Sequence, residues 1–206
     1  MEKTKKILGW TVIVLFILYV IAFIIRTPFI IQNKRTAAQV EKIHATKLQL
    51  SDVMGDNLPP DPGAEADKTI AGIDANQNGI RDDVELAVFK EYPDSAKTRA
   101  VLLQYALALQ MEFTQPIVNT ITATEVIRED DRASSCVADV LVPRESPESS
   151  RSNADMKKID VFINFIQKLQ INTKERNQAQ ADFYENLRSY NSLDTVCDID
   201  YSTLSN

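Results

Sequence analysis

The chain has 206 residues, 44% of them hydrophobic and 25% charged, which is the size of one domain with an appendage. Five glycines and eight prolines exclude collagen-like and low-complexity chains. Removing the first 26 residues, with Lys3, Lys5, Lys6, Arg26 and Glu2, leaves 19 basic against 28 acidic groups, a net charge of −9. So acidic a body argues against nucleic acid as a partner, because phosphates must be met by clustered Lys and Arg.

Residues 1–6 form a basic leader, and Ile7 to Ile25 (ILGWTVIVLFILYVIAFII) then run for 19 residues without a charge. At about 1.5 Å per residue this is roughly 28 Å, close to the hydrocarbon thickness of a bilayer. Trp10 stands near one end, where an amphipathic ring suits the headgroup boundary. A cleaved secretory signal is the competing reading, but its apolar core is about 7–15 residues and a small-x-small site follows it promptly. Here Arg26-Thr27-Pro28-Phe29 follows, and Thr36-Ala37-Ala38 lies far downstream, so residues 7–25 are expected to be an uncleaved transmembrane anchor. Lys3, Lys5 and Lys6 before the span nearly balance Arg26, Lys34 and Arg35 after it, so charge alone does not orient it.

Residues 26–57 read as a stalk helix. Val40, Ile43, Leu50 and Met54 fall near one helical face, interrupted by Lys47. His44, the single histidine, has no second His or Cys at ligand spacing and reads as a solvated side chain. Leu58-Pro59-Pro60-Asp61-Pro62-Gly63 breaks any helix and is taken as the linker, 58–63, to a domain over 64–206. In that domain helices are expected over 82–92, ended by Pro93, and over 96–113, capped by Ser95. Three more are expected over 115–142, 153–171 and 174–190, the last capped by Asn172-Thr173. With no hairpin signal, the fold class is all-α: an N-terminal transmembrane helix and stalk, then a bundle of about five helices with one calcium loop.

That loop is Asp74-Ala75-Asn76-Gln77-Asn78-Gly79-Ile80-Arg81-Asp82-Asp83-Val84-Glu85, which satisfies D-x-[DN]-x-[DN]-G-x5-E at every fixed position. Calcium takes six to eight oxygens. Asp74, Asn76 and Asn78 offer side-chain oxygens, Ile80 its backbone carbonyl, Asp82 a direct or water-bridged contact, and Glu85 two oxygens. Gly79 permits the sharp turn. The alternative is an Asn/Asp-rich turn capping the next helix without an ion. Three charged ligands with two neutral Asn suggest weak binding, about 10⁻⁵ to 10⁻³ M, suited to a calcium-rich compartment outside the cytoplasm.

The D-x-N-x-N-G…E spacing resembles an EF-hand, and NGIRDD is similar to thrombospondin type 3 repeats and related bacterial single loops. The lead-in from Pro60-Asp61-Pro62-Gly63 to Ile73, running into GIDANQNGIRDDVE, resembles uncharacterised membrane-anchored proteobacterial proteins with such a loop; the likeness covers roughly a tenth of the chain. Three features depart from a paired EF-hand: Arg81 at position eight, the short entering segment Ala64 to Ala71, and the lack of a second loop. They favour a structural ion over sensor-style opening.

Cys136 and Cys197 show no CxxC or metal spacing; in an exported domain the pair reads as a disulfide, otherwise as two buried thiols. No phosphate loop or G-x-S-x-G occurs, and Glu112, Glu125, Glu129, Asp130 and Asp131 read as a solvated helix face, so the chain is not expected to be an enzyme. A carboxylate-based hydrolase assembled by folding is the weakest alternative. The expectation is a single-pass protein of the bacterial inner membrane, N-terminus cytoplasmic and domain periplasmic, held to lipid by residues 7–25. Calcium is structural, and the domain serves an envelope protein partner as an interaction or accessory module. A calcium-responsive regulator is the alternative.

Overall fold

The computed structural model describes residues 2–146, 148–193 and 196–206. The described residues are helical without a strand: α1 (Glu2–Ala45), α2 (Leu50–Met54), α3 (Asp82–Glu91), α4 (Ala96–Thr114), α5 (Thr120–Leu141), α6 (Asn153–Gln170) and α7 (Lys174–Tyr184). Short 3₁₀ turns lie at Gly63–Asp67 and Tyr201–Thr203. The expected caps at Ser95 and Thr173 are made, accepting from Thr98 N–H and Arg176 N–H, and Ser152 caps α6 in the same way by accepting from Asp155 N–H.

α1 is about 66 Å long at 44 residues. Its apolar window has a mean hydropathy of 2.8 and none of it is buried, so α1 contains a segment long and apolar enough to cross a membrane. Pro28 sits inside this helix. Its ring denies the helix one backbone donor, and the Thr27 hydroxyl beside it donates to Phe23 O at 2.7 Å.

The outer part of α1 is not a free stalk. Its helix stops at Ala45, and Ile43, Leu48 and Val53 are buried in the same core cluster as Val84, Leu102 and Val126. Hydrogen bonds fix its direction beside α5: Asn119 Nδ2 donates to Thr36 Oγ1 (2.7 Å), and His44 pairs with Glu125 and Glu129. Rising residue numbers on α1 meet rising numbers on α5, so the two helices run parallel. The segment 58–63 consequently runs between two parts of one core rather than between a stalk and a domain. The prolines do keep Leu58 to Pro62 out of helix, as expected.

α4 is the axis of the bundle. Every residue from Arg99 to Glu112 is buried, polar Gln104, Gln110 and Glu112 included. α3, α5, α6 and α7 pack around it. Val101, Leu102, Tyr105, Leu109 and Phe113 repeat at helical spacing, the first four buried and Phe113 half-buried; in a helix enclosed on all sides, the small residues Ala100, Ala106 and Ala108 make the other faces, where neighbours approach closely. The expected helix over 115–142 starts at Thr120, because Pro116 and the Asn119 cap place its N-terminus there. The last helix stops at Tyr184 rather than near Tyr190.

Cys136 and Cys197 form a disulfide across 61 residues, with a Cα–Cα distance of 5.2 Å. Around it the C-terminal segment is held by polar contacts. Gln104 exchanges hydrogen bonds with Val196 O and Asp198 N–H, and the Asp198 carboxylate meets Leu48 N–H and Arg132.

Candidate metal centre

Residues 74–85 form a tight bend closed by their own side chains. The Asp74 carboxylate accepts from Asn78 N–H (3.1 Å) and Gly79 N–H (2.9 Å), and Asn78 Oδ1 accepts from Ile80 N–H (2.9 Å). The turn requires two left-handed residues, Gln77 at φ 59° and Gly79 at φ 87°. A Cβ at Gly79 would lie 2.7 Å from the Leu107 side chain on α4, so packing as well as backbone angle selects glycine. Ile80 turns its fully buried side chain into the core and anchors the bend to the bundle.

Asn76, Asn78 and Glu85 converge. Both amide Nδ2 groups donate to Glu85 Oε2, at 3.0 and 3.1 Å. Asp82 is fully buried and accepts from Ala75 N–H (3.0 Å), while Asp82 N–H donates to Ile73 O (2.9 Å). The bend thus joins Asn76, Asn78 and Glu85, while the carboxylates of Asp74 and Asp82 are turned to backbone amides of the same bend. Among the described residues no cationic side chain pairs with these carboxylates. Arg81, within the bend, is engaged elsewhere, with Asp83 and with the carbonyls of Leu169 and Gln170 at the end of α6. Burial therefore raises Asp82 above the usual carboxylate range and lifts Glu85 to about 7, with Asp52 and Asp82 adding repulsion against the two amide hydrogen bonds.

Among the described residues, no group of three or more His, Cys, Asp and Glu side chains is assembled to hold a metal ion. An ion at this bend would need the Asn oxygens and a backbone carbonyl as well. The residues of the bend carry hard oxygen groups with an excess of negative charge, the kind of donor calcium takes.

The approach to the bend is not an EF-hand entering helix. After the Gly63–Asp67 turn the chain is irregular, and fully buried Arg176 on α7 clamps it by donating to the carbonyls of Ala66, Thr69 and Ile70 and to Asp67. That pairing holds the Asp67 carboxyl below its ordinary range. Gln110 on α4 donates to Ala71 O and Asn76 to Asn57 O. Arg176 and Gln110 support the bend's approach from elements far away in sequence, where nothing in their local sequence marks them, and Arg81 ties the bend itself to the end of α6.

A second polar cluster lies at the junction of α1, α5 and the C-terminal segment. His44, expected to be solvated, is bracketed by Glu129 (Nδ1, 2.7 Å) and Glu125 (Nε2, 3.0 Å). Burial would raise Glu129, but Lys47, His44 and Arg132 more than offset it and hold the carboxyl below its usual range. These groups, with Leu193 and Cys197, line a cavity of about 490 Å³. Glu112 on α4 and Asp130 on α5 form a third acidic site, with Glu112 facing α7. Glu112 accepts from Gln180 (2.8 Å), and burial lifts it to about 7. Asp130 is raised further by burial and by the nearby charges of Glu112 and Asp131. Glu112 and Glu129 are thus buried, not part of a solvated face.

No protein-family model, curated protein or solved structure matches this chain.

Proposed function

We propose that the protein is a membrane-anchored calcium-binding module, whose helical domain uses one ion at residues 74–85 for shape and presents itself to a partner in the bacterial envelope. The observation that carries the reading is the meeting of Asn76, Asn78 and Glu85 in a bend that also holds Asp74 and fully buried Asp82, with no cationic side chain paired to these carboxylates among the described residues. Buried carboxylates without counter-charge are costly, and a divalent cation held by these oxygens would relieve the cost. An amide's oxygen and nitrogen exchange places by a half-turn, so the groups now donating to Glu85 can instead present oxygen beside it. The bend is bound to the core through Ile80 and Arg81, which favours a fixed structural ion over a moving sensor.

The side of the membrane is supported by the Cys136–Cys197 disulfide, since such bonds persist in oxidising compartments such as the periplasm. Residues 7–25 would then cross the inner membrane with the N-terminus in the cytoplasm. No catalytic role is assigned.

The test is thermal unfolding of the full-length protein in detergent after chelation, with calcium returned stepwise. Calcium at about 100 times its Kd stabilises by about 2.7 kcal/mol, a rise of roughly 5–10 °C for a domain of this size. Asp74→Ala with Glu85→Ala should abolish that rise. An unchanged melting temperature in millimolar calcium would refute the assignment.

A further inference from the structure

Where α1 leaves its apolar run it is flanked by the loop between α4 and α5. Val118 of that loop shares a groove of about 660 Å³ with Phe23, Ile24, Pro28 and Ile31, and Arg35 stands at its outer end. The loop belongs there by construction. α1 and α5 run parallel, so the start of α5 and the end of α4 face the membrane side of the domain. Two hydrogen bonds fix the register: Asn119 Nδ2 to Thr36 Oγ1 (2.7 Å), and Gln39 Nε2 to Gln115 Oε1 (2.9 Å).

The chemistry of this end is unlike the acidic remainder. No charged residue occurs from Phe113 to Thr124, and Ile117 and Ile121 are exposed at 36% and 56%. On α1, Phe29, Ile30 and Ile31 are likewise exposed. Ile31 lies six residues beyond Ile25, about 9 Å along the helix, in the layer where acyl chains give way to headgroups. Arg35 is exposed and makes no hydrogen bond or ion pair among the described residues. A groove with an apolar floor continuous with a membrane span, and a free cation at its rim, matches a phospholipid: an acyl chain along the floor and a phosphate at the guanidinium.

We infer that the α4–α5 loop is a second membrane contact, and that the groove between it and α1 seats an anionic phospholipid with its phosphate on Arg35. This rests on the reading of residues 7–25 as a membrane span. The contact would fix the domain's tilt, which a single helix leaves free, and hold the calcium bend at a constant height above the bilayer.

The experiment uses full-length protein in bilayers containing lipids brominated along the acyl chain, which quench indole fluorescence on contact. Trp10, the single tryptophan, reports on the span in the natural chain. Ile117→Trp and, separately, Ile121→Trp, each with Trp10→Phe, report on the loop. Quenching of Trp10 and of both loop reporters is the expected result. Quenched Trp10 with unquenched loop reporters overturns the inference and leaves the anchor standing; that outcome also covers a groove filled by a second copy of the chain. Unquenched Trp10 overturns both. Native mass spectrometry of the detergent-solubilised protein with phosphatidylglycerol then tests the headgroup: Arg35→Gln should weaken lipid retention about fivefold, the contribution of one basic group at an anionic surface. Equal retention by the variant, or equal retention of phosphatidylcholine by the natural chain, removes Arg35 and the anionic preference from the assignment.

Discussion

The buried carboxyl of Glu112 makes a sharp prediction about pH. It lies on α4, 6% exposed, with Gln180 as its close donor, and burial lifts it to about 7 from an ordinary 4.5. The native state therefore holds a proton that the unfolded chain releases at lower pH. For a raised carboxyl the unfolded state binds fewer protons between those two values, so stability falls as pH rises from about 4.5 to about 7, then stays level. The difference corresponds to at most about 3 kcal/mol. Glu112→Gln keeps the shape and an acceptor for Gln180 but cannot ionise. In urea unfolding of the full-length protein, the variant should match its parent within about 1 kcal/mol at pH 5 and exceed it by about 2–3 kcal/mol at pH 8. The parent–variant difference cancels titrating groups that do not interact with Glu112, Glu85 among them, provided both proteins are measured at the same calcium level; the coupled Asp130 does not cancel. A stability difference independent of pH would show that Glu112 is not held neutral by its surroundings, and the reasoning from burial would fail.

Three further predictions concern the supports of the fold. Replacing Cys136 and Cys197 together by Ala opens a loop of 61 residues and should cost roughly 4 kcal/mol in the chain-entropy model, read as a lower denaturant midpoint; a loss under 1 kcal/mol would mean that the Gln104 and Asp198 contacts suffice. Gly79→Ala forces a Cβ onto a φ of 87° and against Leu107, and should cost about 2 kcal/mol or more in thermal unfolding, whereas an unchanged midpoint would show the bend can relax. Arg176→Met strips donors from the carbonyls of Ala66, Thr69 and Ile70. It should destabilise by about 3 kcal/mol and expose residues 63–72 to limited proteolysis, and equal cleavage of both proteins would argue against the clamp.

What the sequence determined by itself is what depends on near neighbours. The apolar run 7–25 is legible because a spanning helix needs only length and the lack of charge. Helix starts at Ser95, Ser152 and Thr173 are legible because a cap is a contact over two or three residues. The bend at 74–85 is legible for the same reason, since its turn glycine and alternating oxygen side chains lie within a dozen positions.

Tertiary structure decided everything that depends on what lies across a helix. His44 has charged neighbours in sequence, yet folding sets it between Glu125 and Glu129. α4 carries polar residues at intervals that suggest an exposed face, but Gln104, Gln110 and Glu112 are enclosed because each finds a partner on a distant segment. Val40, Ile43 and Leu50 read as one stripe of a continuous stalk; only the break after Ala45 and the position of α5 bury Ile43 and Leu48 while leaving Leu50 exposed. Burial is a property of pairs of elements, and a one-dimensional pattern records the periodicity of a face without recording what covers it.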